Sequence, residues 1–234
     1  MGVAYNSRII TDSLVLCLDA ANTKSYPGSG TTWTDLSGNG NTGTLTNGVG
    51  YSASNGGALS FDGTNDYVDL DNFVPTLNGL TYSTECYWFK LSSAQNDGTA
   101  FALSFDGDAY NAVGNFTSGS SNESISISKS NITAYYENGN GFYYDNTWHN
   151  ACYVYGAGFN KLYVDANELS LRYSIGNSST TRAAYAASRF LLGNRTTDYY
   201  FSAGNIAQVS IYNRALTAAE ISQNFNALRG RFGI

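Results

Sequence analysis

This chain of 234 residues is poor in several residue types, and each shortage argues against a class of protein. Its single histidine, His149, excludes a metal centre built from several histidines. Only 13% of the residues are charged, the formal net charge is -6, and no run of lysine or arginine occurs, which disfavours nucleic-acid binding. No apolar stretch approaches the roughly 20 residues of a membrane-spanning helix, so we expect no membrane insertion.

The first residues and the cysteines bear on where the protein is made. The segment from Met1 to Arg8 lacks a basic stretch followed by an apolar one, so we expect no secretory signal there. The three cysteines cannot all pair within one chain, and each lies in an apolar, strand-like run. We therefore expect buried free thiols and assembly in a reducing cytoplasm. The residues concerned are Cys17, Cys86 and Cys152.

What the chain does contain predicts an all-β protein. It has 25 Gly, 19 Tyr and 12 Phe but only 2 Pro, and aromatic and β-branched residues favour strands while Gly, Asn, Asp and Ser favour turns. A single domain of this length buries enough surface to fold without a disulfide or a metal. Strands are predicted over 14–19, 57–62, 66–70, 80–91, 99–106, 110–117, 123–128, 131–137, 147–155, 160–165, 188–192 and 204–212. The tryptophans predicted to anchor the core are Trp33, Trp88 and Trp148.

The end of the chain predicts a strand followed by a capped helix. Thr217 and Glu220 have the S/T-x-x-E spacing of a capping box, in which each side chain can satisfy a backbone N–H of the first turn. Gly230 is predicted to lie just past the end of this helix. The apolar residues that recur on one helical face are Ile221, Phe225 and Leu228.

The start of the chain is predicted to be separate from the domain. Residues 1–13 form an N-terminal arm in this prediction, and residues 14–234 form one domain. Ile9 and Ile10 are able to dock, whereas Met1 to Ser7 have no periodicity. We expect such an arm to be ordered only if it packs on a neighbour.

Five segments resemble one family, in that family's order. They are Leu14–Asn22, Trp33–Asn41, Leu59–Val68, Trp148–His149 and Lys161–Asp165. Together with the C-terminal strand and helix, they resemble the laminin-G-like, concanavalin A-like lectin and glucanase domains. The resemblance implies an all-β fold, a two-sheet antiparallel jelly-roll sandwich with a short C-terminal helix. It also implies that Leu59–Val68 forms a hairpin.

Two shorter segments narrow this resemblance. Leu16–Asn22 (L-C-L-D-A-A-N) and Tyr212–Ile221 (Y-N-R-A-L-T-A-A-E-I) resemble segments of structural proteins of tailed phages. The resemblance implies a non-catalytic virion structural protein, in a capsid decoration, a tail or a fibre. It would lie on the virion surface after synthesis in the host cytoplasm, with virion proteins and further copies of itself as partners. A cell-surface glycan would be a weak additional partner.

Two other functions compete with this one. The first is a carbohydrate-binding lectin module or adhesin, with or without calcium. The second, ranked lower, is a polysaccharide hydrolase, because some relatives of this fold hydrolyse polysaccharides. That chemistry needs two carboxylates beside one bond, and none of the five Glu has the E-x-D-x-x-E spacing of the family's glycosidases. We therefore expect a protein that is not an enzyme, with no catalytic residues.

A tyrosine-rich segment near the last strand is a candidate contact surface. Neighbouring strand residues point to opposite faces, so one of Tyr199 and Tyr200 should face outward. Asn194, Arg195 and Asp198 precede them on a predicted loop. Aromatic rings and planar polar groups suit sugar recognition, and Tyr and Arg are also enriched at protein interfaces. A glycan and a protein partner are both predicted for this segment.

A set of oxygen-bearing residues is a candidate calcium site. Asp62, Asn65, Asp66 and Asp69 concentrate oxygens around one predicted hairpin, and hard cations prefer such ligands. The favoured alternative is that they form Asx turns. The family often has Asp where this chain has Ala207, which weakens the transfer of one common calcium site, and no cofactor is required. A second loop of this kind contains Asp35, Asn39 and Asn41.

Overall fold

The computed structural model describes most of the chain. The described residues are 8–91, 101–105, 112–118, 122–129, 132–137, 143, 145–176, 187–193 and 203–234. For the strands between 101 and 137, and for 172–175, we describe the backbone alone.

Short strands and two α-helices make up these ranges. The strands are β1 (Leu14–Asp19), β2 (Thr32–Trp33), β3 (Gly43–Thr46), β4 (Gly50–Ser52), β5 (Ala58–Asp62), β6 (Tyr67–Asp69), β7 (Ser83–Lys90), β8 (Phe101–Phe105), β9 (Ala112–Ser118), β10 (Asn122–Lys129), β11 (Ile132–Glu137), β12 (Trp148–Gly156), β13 (Phe159–Val164), β14 (Asn167–Glu168), β15 (Arg172–Ile175), β16 (Leu191–Leu192) and β17 (Ala203–Tyr212). The helices are α1 (Val74–Asn78) and α2 (Ala218–Phe232). Neither described helix is long and apolar enough to cross a membrane.

The strands form two antiparallel sheets, which confirms the predicted fold class. The first sheet has the order β14-β13-β12-β7-β17-β5-β4, with β1 also paired to β17. The second sheet has the order β15-β11-β10-β9-β8-β16-β6-β3-β2. The predicted strands match observed ones, and the strands that were not predicted (β2, β3, β4, β14 and β15) are short, which leaves little alternation to detect.

The main core lies between the two sheets. Tyr87 and Phe89 of β7 and Tyr153 of β12 are buried there, in one cluster with Val68 and Leu192 of the second sheet. Because strand side chains alternate between faces, Cys86 and Trp88 of β7 point to the outer face instead. Each predicted tryptophan anchor is buried, either between the sheets or on this outer face.

Helix α2 covers the outer face of the first sheet. Its Phe232 stacks on Trp88 with ring centroids 4.2 Å apart, and the predicted capping box between Thr217 and Glu220 is present. The predicted end of the helix is wrong, because Gly230 lies inside α2 and Gly233 caps it with φ of 77°. Burial of the Phe232 ring offsets the roughly 0.5–1 kcal/mol that a glycine costs within a helix.

The predicted hairpin over Leu59–Val68 is also wrong. Strand β5 pairs with β4 and β17 in the first sheet, whereas β6 pairs with β3 and β16 in the second. The turn at 63–66 therefore crosses from one sheet to the other. Gly and Asx residues serve a tight turn in either role, so the sequence alone does not separate a hairpin from a crossover.

Two of the cysteines predicted to be free form a disulfide. Cys86 on β7 lies directly opposite Cys152 on β12, and the two are bonded. Only Cys17 stays free, and it is buried as predicted. The expectation of three free thiols is wrong because the strand register, which the sequence does not reveal, places these two side chains face to face.

The described part of the predicted arm packs on its own domain. The backbone N–H of Ile10 donates to Asn224 Oδ1 at 2.7 Å, and the Tyr212 hydroxyl donates to the Ile10 carbonyl at 3.0 Å. Residues 8–13 are therefore held against α2 and β17, as predicted for Ile10. Residues 1–7 lie outside the described residues.

Candidate functional site

Two connections between the sheets, and the two described residues that flank a third, lie at one end of the sandwich. Residues 47–49 join β3 to β4, residues 63–66 join β5 to β6, and residues 193–202 join β16 to β17. We call this end the crossover rim, and its described residues are 47–49, 62–66, Gly193 and Ala203. It carries the predicted calcium ligands Asp62, Asn65 and Asp66, and Gly193 directly precedes the segment with the predicted glycan contacts.

Backbone and side-chain contacts hold these connections together. Asn47 donates from Nδ2 to the carbonyl oxygen of Asn65 at 3.0 Å, which joins the first connection to the second. Ala203, where β17 begins, pairs with Asp62, where β5 ends. The third connection therefore returns to the first sheet beside the turn that carries Asp62.

Gly193 determines where the third connection leaves the second sheet. Its φ is 78°, and a Cβ atom at this position would overlap the ring of Phe61, so only glycine fits there. The segment that follows contains the predicted glycan or partner contacts. These residues, Asn194, Arg195, Asp198, Tyr199 and Tyr200, lie outside the described residues.

A buried carboxylate lies at the crossover rim. Asp66 is only 3% exposed, and its Oδ2 accepts the backbone N–H of Asp62 at 3.0 Å. Its Oδ1 has no hydrogen-bond partner within the described ranges. Burial, with a further contribution from the Asp62 charge, outweighs that hydrogen bond and raises the pKa of Asp66. Asp66 Oδ1 is thus a buried hydrogen-bond acceptor without a donor among the described residues.

The four predicted calcium ligands are not all in one place. Asp62 and Asp66 share the turn, but Asp69 accepts a hydrogen bond from Arg189 Nη2 at 2.7 Å and another from the Asp71 backbone at 2.9 Å. Asn65 is exposed and contributes its carbonyl oxygen to the contact described above. No group of three or more His, Cys, Asp or Glu suited to a metal occurs in the described part of the chain. Calcium binding stays a prediction.

The second oxygen-rich loop has a structural role. Asp35 Oδ1 accepts the backbone N–H groups of Cys17 and Ser37, each at 2.9 Å. Asn41 donates from Nδ2 to the Val15 carbonyl at 2.9 Å. These contacts hold the loop against β1. The contact of Asp35 with the Ser37 N–H is an Asx turn, the alternative to a calcium site.

His149 is the centre of a polar cluster that the sequence did not predict. Its Nδ1 lies 2.7 Å from Asp165 Oδ2, and its Nε2 lies 2.9 Å from Thr147 Oγ1 and 3.4 Å from Asp145. Burial lowers the pKa of His149, but the hydrogen bond and charge of Asp165, joined by Asp145, outweigh burial and raise it. The Thr147 hydroxyl donates to Asp145 at 2.7 Å, so the cluster joins the start of β12 to the turn after β13 by charge.

A second unpredicted carboxylate lies inside the core. Glu85 of β7 is fully buried on the inner face of the first sheet, where its Oε2 accepts the Tyr87 hydroxyl at 2.8 Å. Its sequence neighbours, Thr84 and Cys86, gave no sign of a special role. Glycoside hydrolysis needs two carboxylates beside one bond, so this contact alone does not supply that chemistry.

Comparison with known families gives one match over most of the chain. The model of the "Concanavalin A-like lectin/glucanases superfamily" (Laminin_G_3) matches residues 62–222, which is more than half of the sequence. A search of curated proteins finds no sequence that matches this chain.

Several solved structures share the fold. A mutant sialidase of Trypanosoma rangeli displaying trans-sialidase activity matches with a TM-score of 0.69 and 15% identity, over 97% of this chain and 35% of that one. The receptor binding domain of botulinum neurotoxin C/D mosaic serotype matches with a TM-score of 0.66 and 14% identity, over 92% and 51%. Domain 4 of an extracellular arabinanase from Geobacillus stearothermophilus, solved with arabinotriose, matches with a TM-score of 0.62 and 18% identity, over 91% and 98%.

The share of each solved structure that this chain covers differs widely. The chain spans 35% of the sialidase and 51% of the toxin domain, but 98% of the arabinanase domain. At such low identities the likeness shows the fold alone.

Proposed function

Because this chain belongs to the concanavalin A-like lectin/glucanases superfamily, we propose that it is a carbohydrate-binding domain without catalytic activity, and that its glycan binds at the crossover rim. The observation that carries the proposal is the buried Asp66 carboxylate, whose Oδ1 has no partner among the described residues. A buried polar atom left unpaired costs about 1–3 kcal/mol. A sugar hydroxyl that donates to Oδ1 would remove this cost.

The relatives support binding rather than catalysis. The arabinanase domain, which this chain matches over nearly its whole length, was solved with arabinotriose, and the toxin domain binds a receptor. The sialidase is matched over only about a third of its length, so its activity does not carry over. Each of these statements concerns the relative, and carbohydrate binding by this chain is our proposal.

Two residues of the predicted tyrosine-rich segment would contact the glycan from the exposed side of the site. Arg195 and Tyr199 follow Gly193, where the third connection leaves the second sheet at the rim. An aromatic ring would stack on the sugar and the guanidinium would donate to its hydroxyls. In this proposal Asp66 supplies the buried acceptor and these two residues supply the exposed contacts.

The decisive variant is Asp66→Asn, tested by retention on immobilised arabinan and a panel of other polysaccharides. Asparagine keeps the acceptor for the Asp62 N–H and removes a buried charge, so the melting temperature should stay the same or rise. Retention should fall about tenfold or more, because the amide nitrogen takes the place of Oδ1 and cannot accept the sugar hydroxyl. Loss of binding without loss of stability is expected of a functional residue and not of a structural one.

Arg195→Ala and Tyr199→Ala should lower retention too, and Tyr82→Ala is their control. Tyr82 is an exposed tyrosine (42%) next to Ser83, at the opposite end of β7 from the rim. Unchanged retention in Asp66→Asn and Tyr199→Ala would overturn the proposal. Sugar released from arabinan by the wild-type protein would contradict the absence of catalysis.

Calcium at the rim is a further part of this proposal, with Asp62 and Asp66 as the described groups that would hold it. Chelation with EDTA should then lower the melting temperature of the wild-type protein but not that of Asp66→Asn. Equal curves with and without EDTA would remove calcium from the proposal and leave the glycan site untouched.

A second candidate is a virion structural protein, either a capsid decoration or part of a tail or fibre. The observation that favours it is the resemblance of Leu16–Asn22 and Tyr212–Ile221 to phage structural proteins. The Cys86–Cys152 disulfide is typical of an oxidising environment, so it counts against the assembly in a reducing cytoplasm that this candidate implies. A stable symmetric oligomer by light scattering would favour this candidate, whereas a monomer that is retained on glycans would favour the lectin.

A further inference from the structure

A groove of about 340 Å³ lies on the outer face of the first sheet, away from the crossover rim. Cys17 and Asp19 of β1 and Gln208 of β17 line its floor. Helix α2 and the docked segment 8–11 form its sides. The apolar walls are Ile9, Leu36 and Leu228.

The floor of the groove contains an unsatisfied polar side chain. Gln208 is only 2% exposed. Its Nε2 makes no hydrogen bond of ordinary geometry in the ranges that the structure describes, and its side chain interacts with the Cys17 thiol, whose pKa this contact lowers slightly against the effects of burial and nearby charge. Its neighbour Cys17 stays protonated, since burial first and the nearby charges of Asp19 and Asp35 second raise the pKa of the thiol to about 12. The floor therefore offers neutral donors rather than a reactive nucleophile.

The charged groups at the groove are largely balanced. Asp19 Oδ1 accepts from Arg231 Nη1 at 2.7 Å and from the Ala21 backbone at 2.9 Å. Asn22 and Thr11 add an amide and a hydroxyl to the lining. Arg8 also lines the groove, so the groove combines hydrogen-bond donors and acceptors with one positive charge beyond the Asp19–Arg231 pair.

We propose that this groove binds a small, hydroxyl-rich molecule of monosaccharide size. A hydroxyl accepts from Gln208 Nε2 and also donates to an oxygen such as those of Asp19, while the apolar walls cover the C–H face of the ring. The volume of 340 Å³ falls in the range of small-molecule sites, roughly 300–1,000 Å³. A water molecule occupies about 30 Å³, so one water on Gln208 would leave most of the groove unfilled.

This site is independent of the proposed rim site. Gln208 lies further along β17 than Ala203 and faces the outer surface beneath α2. Binding at one place does not require binding at the other, and separate variants distinguish them.

The probes are the methyl glycosides of glucose, galactose, mannose and arabinose, added to ¹⁵N-labelled protein. At least one should shift the side-chain amide resonances of Gln208 in a saturable manner. Gln208→Met keeps the length of the side chain and removes the amide, so affinity should fall about tenfold. The melting temperature should change little, because the interaction that the amide loses, with the Cys17 thiol, is weak.

A second variant tests the groove by its volume. Ala227→Leu on α2 adds three carbons to the lining and should also abolish binding, whereas Asn226→Leu, exposed on the same helix, should not. Asp66→Asn should leave this binding unchanged. The inference is overturned if no glycoside shifts Gln208 saturably, or if Gln208→Met and Ala227→Leu both bind like the wild-type protein. If Ala227→Leu fails to fold, Gln208→Met decides alone.

Discussion

Cys86 and Cys152 face each other across β7 and β12 and form a disulfide with Cα atoms 4.1 Å apart. The bond lies on the outer face of the first sheet, in a buried cluster with Tyr212 and Ile221. It joins positions 66 residues apart, so it restricts the unfolded chain and supports the face on which α2 packs.

Removing this bond should destabilise the protein. The variant with both Cys86→Ala and Cys152→Ala should lose about 2–5 kcal/mol of unfolding free energy in urea titration, because the unfolded chain regains its freedom. Cys17→Ala, a change at the free buried thiol, is the control and should lose less. Alkylation of the denatured protein should label one cysteine before reduction and three after it. Three labels before reduction would contradict the disulfide.

Two glycines at the end of α2 should respond in opposite directions to alanine. Gly230 lies inside the helix, and a Cβ added there would meet no atom within 4 Å. Gly230→Ala should therefore stabilise the protein by about 0.5–1 kcal/mol. Gly233 also has open space but caps the helix with φ of 77°, so Gly233→Ala should destabilise it by about 1–2 kcal/mol. Thermal melts of both variants check this. The same sign for both would mean that the helix ends elsewhere.

Glu220 should make stability depend on acid pH. The Arg214 guanidinium, 2.7 Å away, and the Thr217 backbone N–H lower the pKa of Glu220 from 4.5 to about 2. Since the folded pKa lies below the unfolded one, the stabilisation is complete above pH 4.5 and is lost as the pH falls towards 2. Urea titrations of wild type and Glu220→Gln should therefore differ at pH 6 and converge near pH 2.

Glu168→Gln is the control for this effect. Its pair with Lys161 is more exposed, so the loss at pH 6 should be at most about 1 kcal/mol. An equal loss of unfolding free energy in the two variants would show that the Arg214–Glu220 contact stabilises the protein no more than an exposed ion pair does.

His149 should make stability depend on pH in the other direction. Its folded pKa is raised above 6.5 by Asp165 and Asp145 against the effect of burial. The stabilisation is therefore complete below pH 6.5 and is lost as the pH rises through the folded value. Wild type should exceed His149→Gln in unfolding free energy at pH 6, and the difference should shrink by pH 9.

The single histidine makes this pKa directly measurable by NMR, since one imidazole resonance titrates. Asp165→Asn should lower the pKa of His149, because it removes the negative charge beside the imidazole. The variant should still fold, since asparagine keeps an oxygen that accepts the Asn150 N–H. A wild-type pKa below 6.5 would refute the account of the cluster.

Part of the candidate sites could be predicted from the sequence. Asp62 and Asp66 stood out because Asx residues cluster in one turn. Tyr199 was chosen because neighbouring strand residues point to opposite faces, and it stays a prediction because it lies outside the described residues. Gln208 and His149 did not stand out, because their roles depend on residues distant in the chain. Gln208 faces α2 and the segment 8–11, and His149 meets Asp165 in the turn after β13.

The sequence by itself determined the local structure of this protein. The apolar run at 14–19 predicted β1 with its observed bounds, and the spacing of Thr217 and Glu220 predicted the start of α2, because these signals arise between residues close in the chain. The tertiary structure decided the rest: which sheet each strand joined, that Cys86 met Cys152, and that Asn47 and Asp62 met the turn that carries Asp66. These depend on register and on packing between distant segments, and residues close in sequence carry no record of either.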